Sequence, residues 1–333
     1  ELVAFQSALI TGHTTPGAEA DLLVRPVVCL ADAEQHTTMK VVGGPTDLER
    51  LTAACTEAAA KLPLPRRPWI DPLRELVTTH ELQKLTSPLG QPDSIPVGLV
   101  DLPSEQRHEP YLWDMGSGNL VLTGLTGSGT SSALIHTLIT AADSSPSDIH
   151  IYGIDYDGSL AAMEAHPAVG SIIPATDADR QRRLLSLLDA QIRTRRSMDD
   201  DQRAALPRVI CAIDNFGAFQ ADLESRKDHA QIEQLRRLYA EGSALGVGFV
   251  IAADHPSALG RHFLATTPSV VMLRLADPTD YLTYGIRVSD PATMPAGRGF
   301  LSENGHEIQL GFCASAQLQQ SLNQAAVTDV AVP

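Results

Sequence analysis

An α/β fold with a mainly parallel central sheet is predicted by three features of this sequence. From Asn119 onward, apolar runs of strand length alternate with segments of helical period. The runs are continuously apolar, as strands covered on both faces must be. One run opens into a glycine-rich turn followed by a helix, and three others end in an aspartate.

Taken in order, Glu1–Thr11 is β-rich and Leu22–Leu30 is a second strand, which Pro26 makes an edge or bulged one. Thr46 is the expected N-cap of an alanine-rich helix whose Leu48, Leu51, Ala54 and Cys55 recur at helical spacing. Residues 63–73 hold four prolines and read as an extended connecting arm. A second composition begins near Leu76. Its strands are expected at 119–124, 148–155, 207–214, 247–254 and 269–275. Its helices are expected at 131–142, at 177–196 with Leu184, Leu187, Leu188 and Ile192 on one face, and at 229–246, closed by Gly246. Residues 306–315 echo residues 1–11, with Glu307 on Glu1 and Ala314 on Ala8. That pattern suggests that the chain opens on the last strand of a preceding copy of the same domain.

At roughly 150 residues per domain, 333 residues correspond to two units. The chain starts at Glu1, from which a piece of a longer protein is expected. Its formal charge of −15 opposes a broad nucleic-acid surface, which needs clustered cations to displace counterions. The compact basic cluster, Arg193 to Arg196, ends a helical pattern and reads as a solvated helix end. Cys29, Cys55, Cys211 and Cys313 have no zinc spacing and read as buried thiols in a reducing compartment. No apolar run is long enough to span a bilayer.

The chemistry concentrates in Gly124–Leu134, "GLTGSGTSSAL". A Walker A loop, G-x-x-x-x-G-K-[ST], binds phosphate through inward-facing backbone N–H groups and the positive end of the next helix. Gly124, Gly129 and Ser131 stand in register, but Thr130 occupies the lysine position. Gly127 and Gly129 supply the backbone nest, and Ser131 the hydroxyl for Mg²⁺. The candidate ATP-binding set is Gly124, Gly127, Ser128, Gly129, Thr130, Ser131, Ser132 and Asp214. Ser131 and Asp214 are the candidate Mg²⁺ ligands. Asp214 ends the Walker B-like strand "VICAIDNF", where Asn215 replaces the second acid that polarises an attacking water. The competing reading of the loop is a glycine-rich strand–helix turn that binds nothing. Asp254 and His255 stand at a strand end where related ATPases carry a phosphate sensor, and Arg274 is expected to pair with Asp277 or Asp280.

In order, "PWIDPL", "PVGLVDLP", "GLTGSGTSSAL", "YGIDYDGSL", "HPAVGSIIPATDADRQRRLL", "VICAIDNF", "ALGVGFVIAAD", "RLADPTDY" and "PAGRGFL" resemble the FtsK/SpoIIIE-type ATPase domains of the EccC/EssC family of type VII secretion. The resemblance covers roughly residues 63–310. It implies a RecA-like P-loop fold and a later, degenerate domain of a tandem series, most like the second. It divides the chain into the tail of a preceding ATPase domain with its connecting helix (1–62), a linker arm (63–90) and the FtsK/SpoIIIE-like domain (91–325). It also implies partners: other ATPase domains of the same protein, a small helical secreted substrate with a C-terminal signal, and a membrane anchor elsewhere in a parent protein. That protein would work at the cytoplasmic side of the bacterial cell membrane. Later domains of this kind dock peptide elements in an apolar pocket, and Trp69 and Leu73 of the arm are expected to insert into the domain's own surface. The lost lysine and acid imply weak or absent hydrolysis. The alternatives are a working ATPase in which another cation replaces the lysine, and a DNA-pumping motor, which the acidic balance opposes.

Overall fold

The computed structural model describes residues 44–63, 69–86, 94–144, 148–314, 318 and 321. The strands expected at 1–11 and 22–30, Cys29 and residues 64–68 of the arm lie outside them. The chain divides into two compact units, 1–68 and 69–333. In the first, α1 (Asp47–Ala59) starts as expected at Thr46, in a reciprocal capping box: Glu49 N donates to Thr46 Oγ1 at 3.2 Å and Thr46 N donates to Glu49 Oε2 at 2.7 Å. Thr46→Ala is expected to weaken this helix start by about 1 kcal/mol, read as faster amide exchange at Glu49 and Arg50. The helix buries none of its residues, so Cys55 is exposed rather than buried as expected.

The second unit begins with β1 (Val77–Thr78), α2 (Thr79–Thr86), β2 (Ser94–Leu102) and β3 (Arg107–Asp114). Next come β4 (Leu120–Thr123), α3 (Thr130–Ser144), β5 (Ile149–Asp155), β6 (Val169–Pro174), α4 (Ala178–Arg196) and α5 (Asp200–Ala204). Then follow β7 (Arg208–Asp214), α6 (Phe216–Ser225), α7 (His229–Gly242), β8 (Val247–Ala253) and α8 (Gly260–Leu264). It closes with β9 (Ser269–Met272), α9 (Pro278–Leu282), β10 (Arg298–Leu301) and β11 (Glu307–Phe312). One mixed sheet runs β3-β2-β11-β10-β9-β4-β8-β7-β5-β6, and β1 adds to β11. The stretch from β9 to β6 is parallel, as expected. The antiparallel ribbon β3-β2-β11-β10, joined to β9, extends it. β4 lies between β8 and β9, neither of which follows it directly in the chain. That reversal opens a crevice at the carboxyl ends of the strands, where ligands of open α/β sheets bind.

Two apolar layers cover the sheet. On one face α3 packs Leu134, Leu138 and Ala141 against Leu122, Ile151 and Val250. On the other, Leu184, Leu185, Leu188 and Ile192 of α4 join Leu235 and Leu238 of α7 beneath Cys211 and Ile213. Leu187, assigned to the apolar face from its period, is 40% exposed, and Leu185 takes its place. The two lie two positions apart, about half a turn of helix, and so face opposite sides. Asn119 at the foot of β4 ties the layers together. Its amide donates to Tyr239 O at 2.8 Å, and its carbonyl accepts from Phe249 N at 2.9 Å.

The arm divides in the same way. Leu73 is buried against Val77, Leu82 and Leu99. Trp69, the other residue expected to dock, is 74% exposed. Arg298 holds the inserted stretch: its Nη2 donates to Leu73 O at 2.8 Å and to Arg74 O at 3.0 Å.

The basic cluster at the end of α4 is not simply a solvated helix end. Arg193 pairs with Asp189, and Arg196 with Glu241 at 2.5 Å. Arg195 is buried.

Candidate nucleotide site

The glycine-rich loop is pinned at both flanks. Gly124 N donates to Ala253 O at the end of β8, and Leu125 N donates to Arg274 O just past β9, both at 2.9 Å. Gly127 and Gly129 adopt φ of 79° and 103°, a region that favours glycine. Gly129 is also required sterically, because a Cβ there would lie 2.7 Å from Gly297 N. The neighbouring peptide anchors to the same place, with Gly297 N donating to Ser128 O at 2.7 Å. α3 then starts at Thr130, so its first N–H groups and positive dipole end face the loop.

The loop encloses a cavity of about 350 Å³. Gly124, Gly127, Gly129, Thr130, Ser131, Ser132 and Asp214 of the expected set line it. Ser128 does not: it is buried behind the loop, and its hydroxyl has no partner among the described residues. Ser131 Oγ donates to Asp214 Oδ1 at 3.3 Å, so the two candidate Mg²⁺ ligands, 83 residues apart in sequence, are brought together. A hydroxyl beside a carboxylate is a hard-oxygen donor pair, and Mg²⁺ in such sites completes its shell with water and substrate phosphates.

Three residues around Asp214 were not anticipated. Ser159 Oγ donates to Asp214 Oδ2 at 2.5 Å. Asp155 arranges this contact: its carboxylate accepts from Gly158 N at 2.7 Å and Leu160 N at 3.0 Å, folding the turn that presents Ser159. Asp157 accepts from Asn215 Nδ2 at 2.8 Å. The sequence signal for this group was the compact "DYDGS" that ends β5 and opens the next turn. Burial pushes the Asp214 carboxyl above its ordinary range, and the charges of Asp157 and Asp155 push the same way. The hydrogen bonds from Ser159 and Ser131 oppose them.

Asn215 has a backbone task as well. It sits at φ 55°, in the left-handed region that asparagine tolerates, and its carbonyl accepts from Ala218 N at 3.2 Å to cap α6. Asp254 lines the cavity and pairs with His255 Nδ1 at 2.5 Å. Among the described residues Arg274 forms no ion pair with Asp277 or Asp280. Instead its Nη2 donates to Gly127 O at 3.2 Å, and Asp277 caps α9. Among the described residues the cavity lining therefore holds three carboxylates, Asp157, Asp214 and Asp254, and no lysine or arginine.

A strand–glycine loop–helix facing a strand-end aspartate, at a sheet crevice, is P-loop geometry, and the sequence matches accordingly. Residues 92–308 match the FtsK/SpoIIIE family. The chain belongs to the FtsK/SpoIIIE family. Among curated FtsK/SpoIIIE relatives, it is 27% identical over 305 residues to the ESX-4 secretion system protein EccC4 of Mycobacterium tuberculosis, covering 84% of this chain and 24% of that protein. It is 26% identical over 280 residues to the ESX secretion system protein EccC of Thermomonospora curvata, covering 73% and 21%. The chain thus spans about a quarter of the length of these relatives. In fold it is similar to the cytoplasmic domain of the Thermomonospora curvata type VII secretion ATPase EccC, with TM-score 0.67 and 23% identity over 87% of this chain and 37% of that one. It is likewise similar to EssC (ATPases 2 and 3) from Geobacillus thermodenitrificans, with TM-score 0.63 and 18% identity over 81% and 53%. A third neighbour, Thermomonospora curvata EccC (ATPases 2 and 3), was solved in complex with a signal sequence peptide, with TM-score 0.56 and 23% identity over 71% and 46%. The RecA-like P-loop architecture expected from the motifs is the one present. No helix among the described residues is long and apolar enough to cross a membrane.

Proposed function

We propose that this chain is a nucleotide-holding domain of a type VII secretion motor, a later and degenerate member of its tandem series. The observation that carries the reading is the 3.3 Å contact of Ser131 with Asp214 at a loop whose lysine position is Thr130. The loop amides, the start of α3 and the Ser131–Asp214 pair would hold ATP·Mg²⁺. Mg²⁺ held there would supply positive charge to the phosphates. Thr130 can donate a hydrogen bond to phosphate but cannot neutralise it. Asn215 binds Asp157 and caps α6, so it does not take the place of a water-activating acid. Three lining carboxylates and no lining cation oppose the extra negative charge of a phosphoryl-transfer transition state. Hydrolysis is accordingly weak or absent, and the domain acts in regulation and in docking. Its partners in this reading are the other ATPase domains of the same protein and the C-terminal signal of a small helical secreted substrate. A membrane anchor in the parent protein holds them at the cytoplasmic side. The second reading, a working ATPase, is favoured by one observation: the Arg274 guanidinium already touches the loop at Gly127.

Calorimetry and phosphate release separate them. The chain is expected to bind ATP·Mg²⁺ with phosphate release at the blank level, and Asp214→Ala to abolish the Mg²⁺-dependent binding. Thr130→Lys, by restoring a charge-assisted bond of about 1.5–3 kcal/mol, is expected to tighten binding roughly 10- to 100-fold. Brisk Mg²⁺-dependent release that disappears in Asp214→Ala would establish the second reading, with Arg274→Ala as its further test. No binding heat at all would leave the loop a structural turn.

A further inference from the structure

A second cavity, of about 550 Å³, opens at the other end of the parallel strands. Its walls come from the starts of β5 and β7, the turn before β8, and the ends of α3 and α4. It shares no lining residue with the phosphate loop. Three arginines, Arg195, Arg203 and Arg208, line it against two aspartates, Asp148 and Asp200. The excess is therefore positive in a chain whose formal charge is −15.

Arg195 sets the character of this cavity. It is only 3% exposed. Nη1 donates to Leu245 O at 3.2 Å, and Nη2 donates to Pro207 O. Nε has no partner, and no carboxylate pairs with the guanidinium among the described residues. Asp200 is taken by Arg203. The local backbone makes room for the side chain. Gly246 sits at φ 74°, and a Cβ there would lie 2.7 Å from Nη1. Buried charges in folded proteins are ordinarily paired, and an unpaired guanidinium is strongly disfavoured. The Leu245 carbonyl, at the end of a helical turn, carries partial negative charge and offsets part of this. It leaves Nε and most of the positive charge uncompensated. Burial accordingly pulls the Arg195 pKa down from its usual value.

We infer that this cavity is a binding site for an oxyanion, a carboxylate or phosphate group carried by a ligand, with Arg195 as the residue that receives its charge. Arginine suits the task because its planar fork matches the two oxygens of either group. The site is separate from the nucleotide reading and stands whether or not the phosphate loop binds ATP.

The test reads Arg195 directly. In the ¹⁵N-labelled chain, the Arg195 Nε–H resonance is assigned through bonds from the backbone, so no variant has to fold. Inorganic phosphate and, separately, succinate are then titrated against sodium chloride at equal ionic strength. The expected result is a saturable shift of this resonance with one or both oxyanions and none with chloride. The shift persists in Ser131→Ala, which alters the phosphate loop. Phosphate alone identifies a phosphorylated ligand class, and succinate alone a carboxylate class. Arg195→Lys keeps the charge but loses the fork, and is expected to weaken the saturating response at least several-fold in a thermal-shift titration with the same salts. An Arg195 resonance that does not move, or that moves equally with chloride, overturns the inference.

Discussion

Arg298→Ala is expected to lower the stability of the second unit by about 3–5 kcal/mol, the range for removing one partner of a buried charged network. Arg298 is 9% exposed on β10, and all of its nitrogens are engaged. Nε donates to Gln309 Oε1 at 2.9 Å, Nη1 to Glu307 at 2.5 Å, and Nη2 to the carbonyls of Leu73 and Arg74. The Glu307 contact counts least, because that carboxylate is 38% exposed and water screens it. The weight falls on Gln309 and on the buried Leu73 carbonyl, which alanine would leave unpaired, while the Arg74 carbonyl is only half-buried. The effect reaches the phosphate loop through the adjoining peptide, where Gly297 N holds Ser128 O, and through Gln309 Nε2, which donates to Ala296 O at 2.9 Å. Alanine should therefore also accelerate amide exchange in β1 and α2 and weaken nucleotide binding. Arg298→Lys keeps the charge but cannot span four acceptors, and should recover less than half the loss. A denaturation midpoint within error of wild type, with the arm still protected, would show that the arm is held by Leu73 burial alone.

Five strands of the parallel half, β4, β5, β7, β8 and β9, were legible because each is a local signal, whereas β6, which carries Gly170 and ends at Pro174, was not expected. "VICAIDNF" and "VGFVIAAD" are apolar from end to end because both faces are covered, and β7 and β8 lie within a residue of the expected ends. The antiparallel ribbon was not legible. β2 carries Pro96, where its register with β3 shifts, and β3 carries Pro110 and the paired charges Arg107 and Glu109. No local pattern states that β11 will pair with β2 some 200 residues earlier. The site divides along the same line. Gly127, Gly129, Ser131 and Asp214 follow from spacing within two motifs. Ser159 does not, because its contact with Asp214 exists only once β5 and β7 lie side by side. Asn215 was legible as a missing acid but not as a left-handed helix cap, since both roles ask for a small polar side chain. The arm shows the limit of hydrophobicity as a guide: Trp69 and Leu73 are equally apolar, and only Leu73 meets a partner layer.

The second large effect is a dependence on pH through His136. This histidine lies on α3 and is fully enclosed. Nε2 faces Pro96 O at 3.1 Å, and Nδ1 faces Thr79 Oγ1 at 2.9 Å. A carbonyl can only accept, so the neutral ring carries its proton on Nε2, and Nδ1 accepts from the Thr79 hydroxyl. Enclosure disfavours the charged ring and pulls its pKa down to about 4, against the pull of the Pro96 carbonyl. The unfolded chain therefore takes up a proton near pH 6.5 that the folded chain refuses until about pH 4. Between these values the unfolded state binds more protons, so stability is full above pH 6.5 and falls as the pH drops through the window. At 1.36 kcal/mol per unit the loss is about 3 kcal/mol. Asp214 contributes the opposite slope, since its carboxyl is raised in the folded chain. The measurement is therefore a difference: urea unfolding of wild type and of His136→Gln, which keeps a donor for Pro96 but does not titrate. Wild type should lose about 2.5 kcal/mol more than the variant between pH 7 and pH 4.5. Parallel curves for the two proteins would mean that the ring reaches water in the folded state and that α2 does not seal it.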